Sequence, residues 1–174
     1  VDAVYDVAFR RAGMLRVEDI DGLFDAAQTL GTPKAVFGRR LAILTNGTSA
    51  GIMAADRLLA GGGELAELSA ATSEAIDELM EGRGWSRTNP VDIPFDANGE
   101  LFDKVLKLLL KDQGSDGVLV MHVPWATHPG VRVAQTLAPT LKRARRMVLT
   151  AWLGSGAAEK GREVFHEAGI PAYE

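Results

Sequence analysis

The sequence has 174 residues, of which 47% are hydrophobic and 24% are charged, with a formal net charge of -4. This is typical of one globular domain and excludes a disordered chain, and the acidic balance predicts no nucleic acid and no membrane as a partner. The absence of cysteine excludes disulfides, thiolate chemistry and cysteine-based zinc sites, and it favours a cytoplasmic location.

The first 38 residues are predicted to be a helical linker segment. From Val4 to Leu30 apolar residues recur at helical spacing, which indicates two helices separated near Gly13. Asp19 or Glu18 lies near the start of the second helix, where negative charge suits the helix dipole. Because the chain begins in mid-pattern without methionine, we expect it to be a piece of a longer or processed protein.

Residues 39–174 alternate between strands and helices. Short apolar or extended runs predict strands at 41–45, 64–68, 90–93, 117–123, 147–153 and 170–173. Helices are predicted between them at 49–60, 69–80, 100–111, 129–145 and 157–168. This alternation indicates an α/β fold with a doubly wound parallel sheet of about five strands. Ligands bind at the carboxyl ends of such strands, which draws attention to the loops at 46–51, 92–98, 123–129 and 153–157.

The segment Thr45-Asn-Gly-Thr-Ser-Ala-Gly51 follows a predicted strand and opens a helix. The first turn of a helix has unpaired amide N–H groups and partial positive charge, and small residues let an anion approach them. A tight turn with an N-cap from Thr48 or Ser49 is the simpler alternative. Our candidate phosphate or anion site consists of Asn46, Gly47, Thr48, Ser49, Ala50 and Gly51.

A second group of polar residues lies in the segment that begins Asn89-Pro-Val-Asp92. Asn89 and Asp92 either hydrogen-bond the backbone of their own loop or line a ligand crevice beside the first loop.

The third candidate segment contains His122 and Trp125 at the end of a predicted strand. A buried, hydrogen-bonded His122 is the simpler interpretation, and acid–base use remains open. Trp125 either lines the site or packs in the core. His128 lies six residues after His122 without an acidic neighbour, which is weak support for a metal. We predict no metal ligand and no catalytic residue.

The cluster Lys142, Arg143, Arg145 and Arg146 is the one basic exception in this acidic chain, and we interpret it as a solvated helix end.

Five segments distributed over almost the whole chain share a family pattern: VYDVAFRRAGM, RLAILTNGTSAG, NPVDI, DGVLVMHVP and AGIPAYE. Taken together, they resemble the NDP-forming acyl-CoA synthetases, which are relatives of succinyl-CoA synthetase. The resemblance implies the second flavodoxin-like domain of such an enzyme, in which the helix after the glycine loop faces a phosphorylated histidine of another domain. Asn89, Pro90 and Asp92 would then face the acyl or phosphate site.

This family converts an acid, CoA and a nucleoside triphosphate into acyl-CoA, nucleoside diphosphate and phosphate. The resemblance implies CoA or acyl-CoA and ATP or ADP with Mg in the full-length protein, but no cofactor bound by this domain alone. The implied partners are CoA-binding, phosphohistidine and ATP-grasp domains of the same polypeptide. The isolated domain is expected to be inactive.

Two features depart from the family pattern. The glycine loop carries Thr48 and Ser49 where the family has more glycines, and Pro94 and Phe95 follow the NPVDI segment where small residues are common.

The same domain set also occurs, in a regulatory role, in GNAT-type protein lysine acetyltransferases, and such an acetyltransferase remains an alternative for the full-length protein. A flavin-binding domain is a third interpretation that the fold permits.

Overall fold

The computed structural model describes residues 2–32, 38–124 and 129–174. The chain forms two compact units, residues 1–33 and 34–174. None of the helices in the described ranges combines the length and apolar character needed to cross a bilayer. The predicted domain boundary at residue 38 stays a prediction.

The first unit contains the two predicted helices, α1 (Asp2–Arg11) and α2 (Ile20–Leu30). The Asp19 carboxylate caps α2 by accepting a hydrogen bond from the Gly22 amide at 2.7 Å. Arg16 forms salt bridges with two carboxylates of α1. Among the described residues, neither α1 nor α2 has a buried side chain. The apolar spacing therefore predicted the two helices correctly but not the burial of their apolar faces.

The second unit contains the predicted alternation of strands and helices. The strands are β1 (Arg40–Thr45), β2 (Glu64–Leu65), β3 (Val91–Asp92), β4 (Gly117–His122), β5 (Met147–Trp152) and β6 (Ala172–Tyr173). The helices are α3 (Thr48–Ala60), α4 (Ala70–Met80), α5 (Gly99–Lys111), α6 (Gly130–Arg143) and α7 (Glu159–Glu167).

All described strand pairs are parallel, and the order along the sheet is β2-β1-β4-β5-β6, with β3 also paired to β1. Leaving out the two-residue β3, this is the strand order of the flavodoxin-like fold. The predicted parallel α/β class is therefore confirmed. Its carboxyl edge is formed by the ends of β1, β3, β4 and β5, where the candidate loops begin.

Helices cover both faces of the sheet, as predicted. On one face, residues such as Leu44 and Val120 pack against α4, α5, α6 and α7 in the larger core. On the other face, Met121 and Ala151 pack with Ala55 of α3. Neighbouring strand residues point to opposite faces, so the position of each strand residue decides which helix layer it meets.

The strand predicted over residues 64–68 is wrong in length, because β2 ends at Leu65. The last backbone bond of this pairing runs from the Ala66 amide to the Leu41 carbonyl, at 3.0 Å. The Asn89 side chain then occupies the edge of β1 between β2 and β3. The chain leaves the sheet there and reaches Ser69, which caps α4 as predicted.

Candidate functional site

The predicted anion loop connects β1 to α3 at the carboxyl edge of the sheet. Gly47 is the N-cap of α3, in an extended conformation and without a side-chain cap, and Thr48 is the first helical residue. The Gly47 amide donates to the Thr45 hydroxyl at 3.0 Å. The N-cap therefore comes from neither Thr48 nor Ser49, because the helix begins one residue earlier than predicted.

The backbone amides in the first turn of α3 are free to donate hydrogen bonds to a ligand. The first helical hydrogen bond joins the Gly51 amide to the Gly47 carbonyl at 3.0 Å. Within the described residues, the amides of Thr48, Ser49 and Ala50 donate to no hydrogen-bond acceptor. Thr48 and Ser49 are exposed. This first turn has the free N–H groups and the dipole that suit an anion.

The two glycines of the loop are required by close packing. A Cβ atom at Gly47 would lie 2.4 Å from Cγ2 of Val123. A Cβ atom at Gly51 would lie 2.8 Å from Cγ2 of Thr45 and 3.2 Å from Cβ of Pro90. Both distances to Cγ2 are shorter than real Cβ contacts, so a side chain would push α3 away from the strand ends. The glycines thus fix the position of the helix amino terminus.

Asn46 is buried and acts as a clamp between three loops. Its side-chain amide donates to the carbonyl oxygens of Phe95 and Val123, both at 3.0 Å, and its Oδ1 accepts from the Val123 amide at 2.8 Å. These contacts tie the end of β1 to the segments that follow β3 and β4. Both amide hydrogens of Asn46 are used, so its contribution to the site is to position the loop.

Asp92 lies at the rim of the same helix terminus. Its carboxylate accepts a short hydrogen bond from the Thr48 hydroxyl. A carboxylate is favourable near a helix amino terminus, but it also repels a second anion. The structure therefore places Thr48 and Asp92 together and gives the helix terminus an acidic edge. That these residues line a ligand crevice stays a prediction.

Asn89 and Pro90 lie on the inner side of this site. The Asn89 amide nitrogen donates to the carbonyl oxygens of Leu41 and Ala66, at 2.7 and 3.1 Å, and Oδ1 accepts from the Ile43 amide at 2.9 Å. Because both of its amide hydrogens are used, Asn89 pairs with the sheet instead of facing a ligand. Pro90 packs beside Gly51.

His122 lies on the opposite face of the sheet from α3. Its ring stacks on Trp152 with centroids 5.2 Å apart and also contacts Phe102. It is 1% exposed, and neither ring nitrogen has a partner among the described residues. Burial lowers the pKa of His122 to about 4, so the ring is neutral at pH 7. His122 is buried as expected, without the expected hydrogen bond.

The burial of His122 predicts a loss of stability in mild acid. The unfolded chain binds a proton at His122 below its ordinary pKa of 6.5, whereas the folded chain does so only near 4. Stability should therefore fall as the pH drops from 6.5 to 4, by up to about 3 kcal/mol. The His122→Phe variant should lack this loss in urea titrations across that range. His166→Phe, on the exposed surface of α7, should keep it, and identical profiles for all three proteins would contradict the assignment.

Trp125 and His128 lie outside the described residues, so their predicted roles stay predictions. The remaining candidates divide into three places. Residues 46–51, Pro90 and Asp92 lie at the start of α3, Asn89 is bonded to backbone groups of the sheet, and His122 lies on the opposite face of the sheet from α3. Sequence reasoning missed two residues that position the loop. The Thr45 hydroxyl accepts from the Gly47 amide, and the Val123 amide donates to the Asn46 side chain. Among the described residues, no three acidic or histidine side chains come together to hold a metal.

No family model matches this chain. A curated relative, the alpha subunit of acetate–CoA ligase [ADP-forming] II from Pyrococcus furiosus, is 28% identical over 98% of this chain. A solved protein of Pyrococcus horikoshii is 30% identical over 98% of this chain, with a TM-score of 0.86. Homologues of this chain are ADP-forming CoA ligases.

The dinucleotide-forming acetyl-coenzyme A synthetase 1 of Ca. Korarchaeum cryptofilum shares the fold of this chain, with a TM-score of 0.88 and 24% identity over 98% of this chain. This chain spans 38% of the Pyrococcus furiosus relative, 40% of the solved Pyrococcus horikoshii chain and 38% of the Korarchaeum chain. It therefore aligns with one part of each of these longer proteins, and its fold agrees with the flavodoxin-like fold that the sequence predicted.

Proposed function

We propose that residues 39–174 are a ligase domain of an NDP-forming acyl-CoA synthetase and present the amino terminus of α3 to a phosphoryl or acyl group. The observation that carries this proposal is the set of three amides, Thr48 to Ala50, that have no acceptor in the described part of the chain. They begin a 13-residue helix directly after a central strand. A helix start in this position stabilises negative charge as it develops.

The similarity to ADP-forming acetate–CoA ligases supports the reaction class. The reaction joins an acid to CoA and converts a nucleoside triphosphate to a diphosphate and phosphate. We propose that the isolated chain is inactive, because the phosphohistidine, CoA and Mg-nucleotide sites belong to other domains of the full-length protein. Within this chain, Asn46, Gly47 and Gly51 position the helix, and the amides of Thr48, Ser49 and Ala50 bind the anion. A cytoplasmic location stays a prediction.

The full-length protein provides the test. Incubated with acetate, CoA and Mg-ATP, it should produce acetyl-CoA together with ADP and phosphate, and the 174-residue chain alone should not. Transfer of acetyl groups from acetyl-CoA to protein lysines, without any acetyl-CoA synthesis, would overturn the synthetase proposal and favour the acetyltransferase parent.

The acidic edge of the site gives a separate prediction for anion affinity. Asp92→Asn removes a negative charge from the rim of the helix terminus but keeps an oxygen to accept from Thr48. Inorganic phosphate should then bind about fivefold more tightly, since one nearby charge contributes about 1 kcal/mol in water. The measurement is the shift of the Thr48–Ala50 amide resonances during a phosphate titration.

Asp96→Asn is the matched control for this experiment. Asp96 lies in the same loop and is exposed, but it faces Arg83 at 3.6 Å instead of α3. The control should leave phosphate binding unchanged. If both substitutions changed phosphate affinity equally, the net charge of the chain, and not the position of Asp92, would determine that affinity.

A further inference from the structure

A second feature lies at the amino edge of the sheet, opposite the candidate anion site. Two grooves of about 500 and 570 Å³ run across the starts of β1, β4 and β5. Arg40 and Met147 line both grooves, so the two adjoin, and together we call them the amino-edge groove. The proposed reaction uses none of it.

The rim of the amino-edge groove is basic. It carries five of the arginines of this acidic chain: Arg39, Arg40, Arg57, Arg145 and Arg146. Arg57 belongs to the last turn of α3, where a cation is favourable, but the other four lie outside helices. The acidic lining residue is Asp116, whose side chain is 13% exposed.

Contacts within the chain neutralise only part of the positive charge of these arginines. Hydrogen bonds from Arg40 hold the pKa of Asp116 well below its usual range, and these two groups neutralise each other. Arg146 donates to the Asp112 carbonyl at 2.6 Å and to the Ser115 hydroxyl at 2.8 Å, which fixes its position without neutralising it. Arg57 and Arg145 are exposed. The groove therefore keeps a net positive charge.

The floor of the amino-edge groove is apolar. It contains Leu41, Leu58 and Leu149, which are only partly buried. Gly117 lies beside them, and a Cβ atom there would already be 3.4 Å from the Leu41 side chain. The glycine-rich turn at residues 61–63 completes the wall. An apolar floor with a basic rim has the anatomy of a protein interface.

We propose that the amino-edge groove is a docking surface for an acidic, partly apolar segment of a partner protein. Charge complementarity between the arginine rim and carboxylates of the partner selects the occupant, and the leucine floor accepts its apolar side chains. Nucleic acid fits less well, because the chain has a net charge of -4 and the lining of the groove contains no aromatic residue among those described.

Fluorescence anisotropy with the 174-residue chain tests this proposal. The probes are a labelled peptide in which glutamate and leucine alternate, the same peptide with lysine replacing glutamate, and a single-stranded DNA. The acidic peptide should bind and the lysine peptide should not. The double variant Arg57→Glu and Arg145→Glu should weaken binding of the acidic peptide about tenfold, since each exposed pair contributes modestly.

Arg132→Glu is the matched control, because Arg132 is an exposed arginine in the first turn of α6, at the opposite edge of the sheet. It should bind the acidic peptide as the unmodified chain does. Equal binding of the acidic and lysine peptides, or no effect of the double variant, would overturn the proposal. Tighter binding of the DNA, lost in the same double variant, would assign the groove to nucleic acid instead.

Discussion

Replacement of Asn89 by alanine is expected to destabilise the second unit by about 3 kcal/mol. The substitution leaves the Ile43 amide and the Ala66 carbonyl without their partner, and both residues are at most 3% exposed. Each buried polar group that loses its hydrogen bond costs about 1–3 kcal/mol. The Leu41 carbonyl keeps its bond from the Ala66 amide, which limits the loss. Urea unfolding followed by circular dichroism measures the effect.

Asn98→Ala is the matched control for this measurement. Asn98 is an exposed asparagine that caps α5 by accepting from the Leu101 amide at 2.9 Å. Loss of such a cap costs about 1 kcal/mol. Asn89→Asp should destabilise as strongly as Asn89→Ala, because a carboxylate cannot donate to the two carbonyl groups. If Asn89→Ala cost no more than the control, the amide would not be a structural part of the sheet.

The role of Asn89 shows where sequence reasoning stopped. The extended segment at 90–93 was correctly placed at the sheet, where β3 covers Val91–Asp92, but Asn89 was not predicted to pair with it. The partners of Asn89 are backbone groups 23, 46 and 48 residues earlier in the chain, and no local pattern reveals them. A polar residue that completes a sheet and one that binds a ligand look alike in sequence.

The sheet itself was predictable for a physical reason. Strands buried on both faces appear as continuous apolar runs, and helices between them appear as periodic ones, so β1, β4 and β5 were located within one residue at each end. The two-residue strands β2, β3 and β6 were all predicted too long. For β2 the reason is the distant Asn89 side chain, which bonds the Ala66 carbonyl where the strand ends.

The separation of His122 from the anion loop was visible in the sequence, although it was not used. Met121 and His122 are neighbours in one strand, so they point to opposite faces of the sheet. The structure places Met121 on the side of α3 and His122 beside Trp152. The order of the loops along the carboxyl edge predicted that His122 lies near the anion loop. The alternation of side chains along β4 instead places His122 on the other face of the sheet.

Ser49→Glu is expected to lower acyl-CoA synthesis by the full-length protein about 100-fold. Ser49 is the second residue of α3 and is exposed, so a glutamate there places its carboxylate before the free amides of Thr48, Ser49 and Ala50. The carboxylate would occupy the position proposed for the phosphoryl or acyl group. Loss of one preorganised donor already costs about 100- to 1000-fold in catalysis. The measurement is the initial rate of acetyl-CoA formation from acetate, CoA and Mg-ATP.

Folding should survive this substitution, because a glutamate in the first turn of a helix stabilises it by about 0.3–1 kcal/mol. Ala71→Glu provides the matched control: Ala71 is the exposed second residue of α4, so the same charge enters the same helical position away from the site. Both variants should unfold at or above the urea concentration of the unmodified protein, and only Ser49→Glu should lose activity. Full activity of Ser49→Glu would show that the group transferred in the reaction never meets the amino terminus of α3.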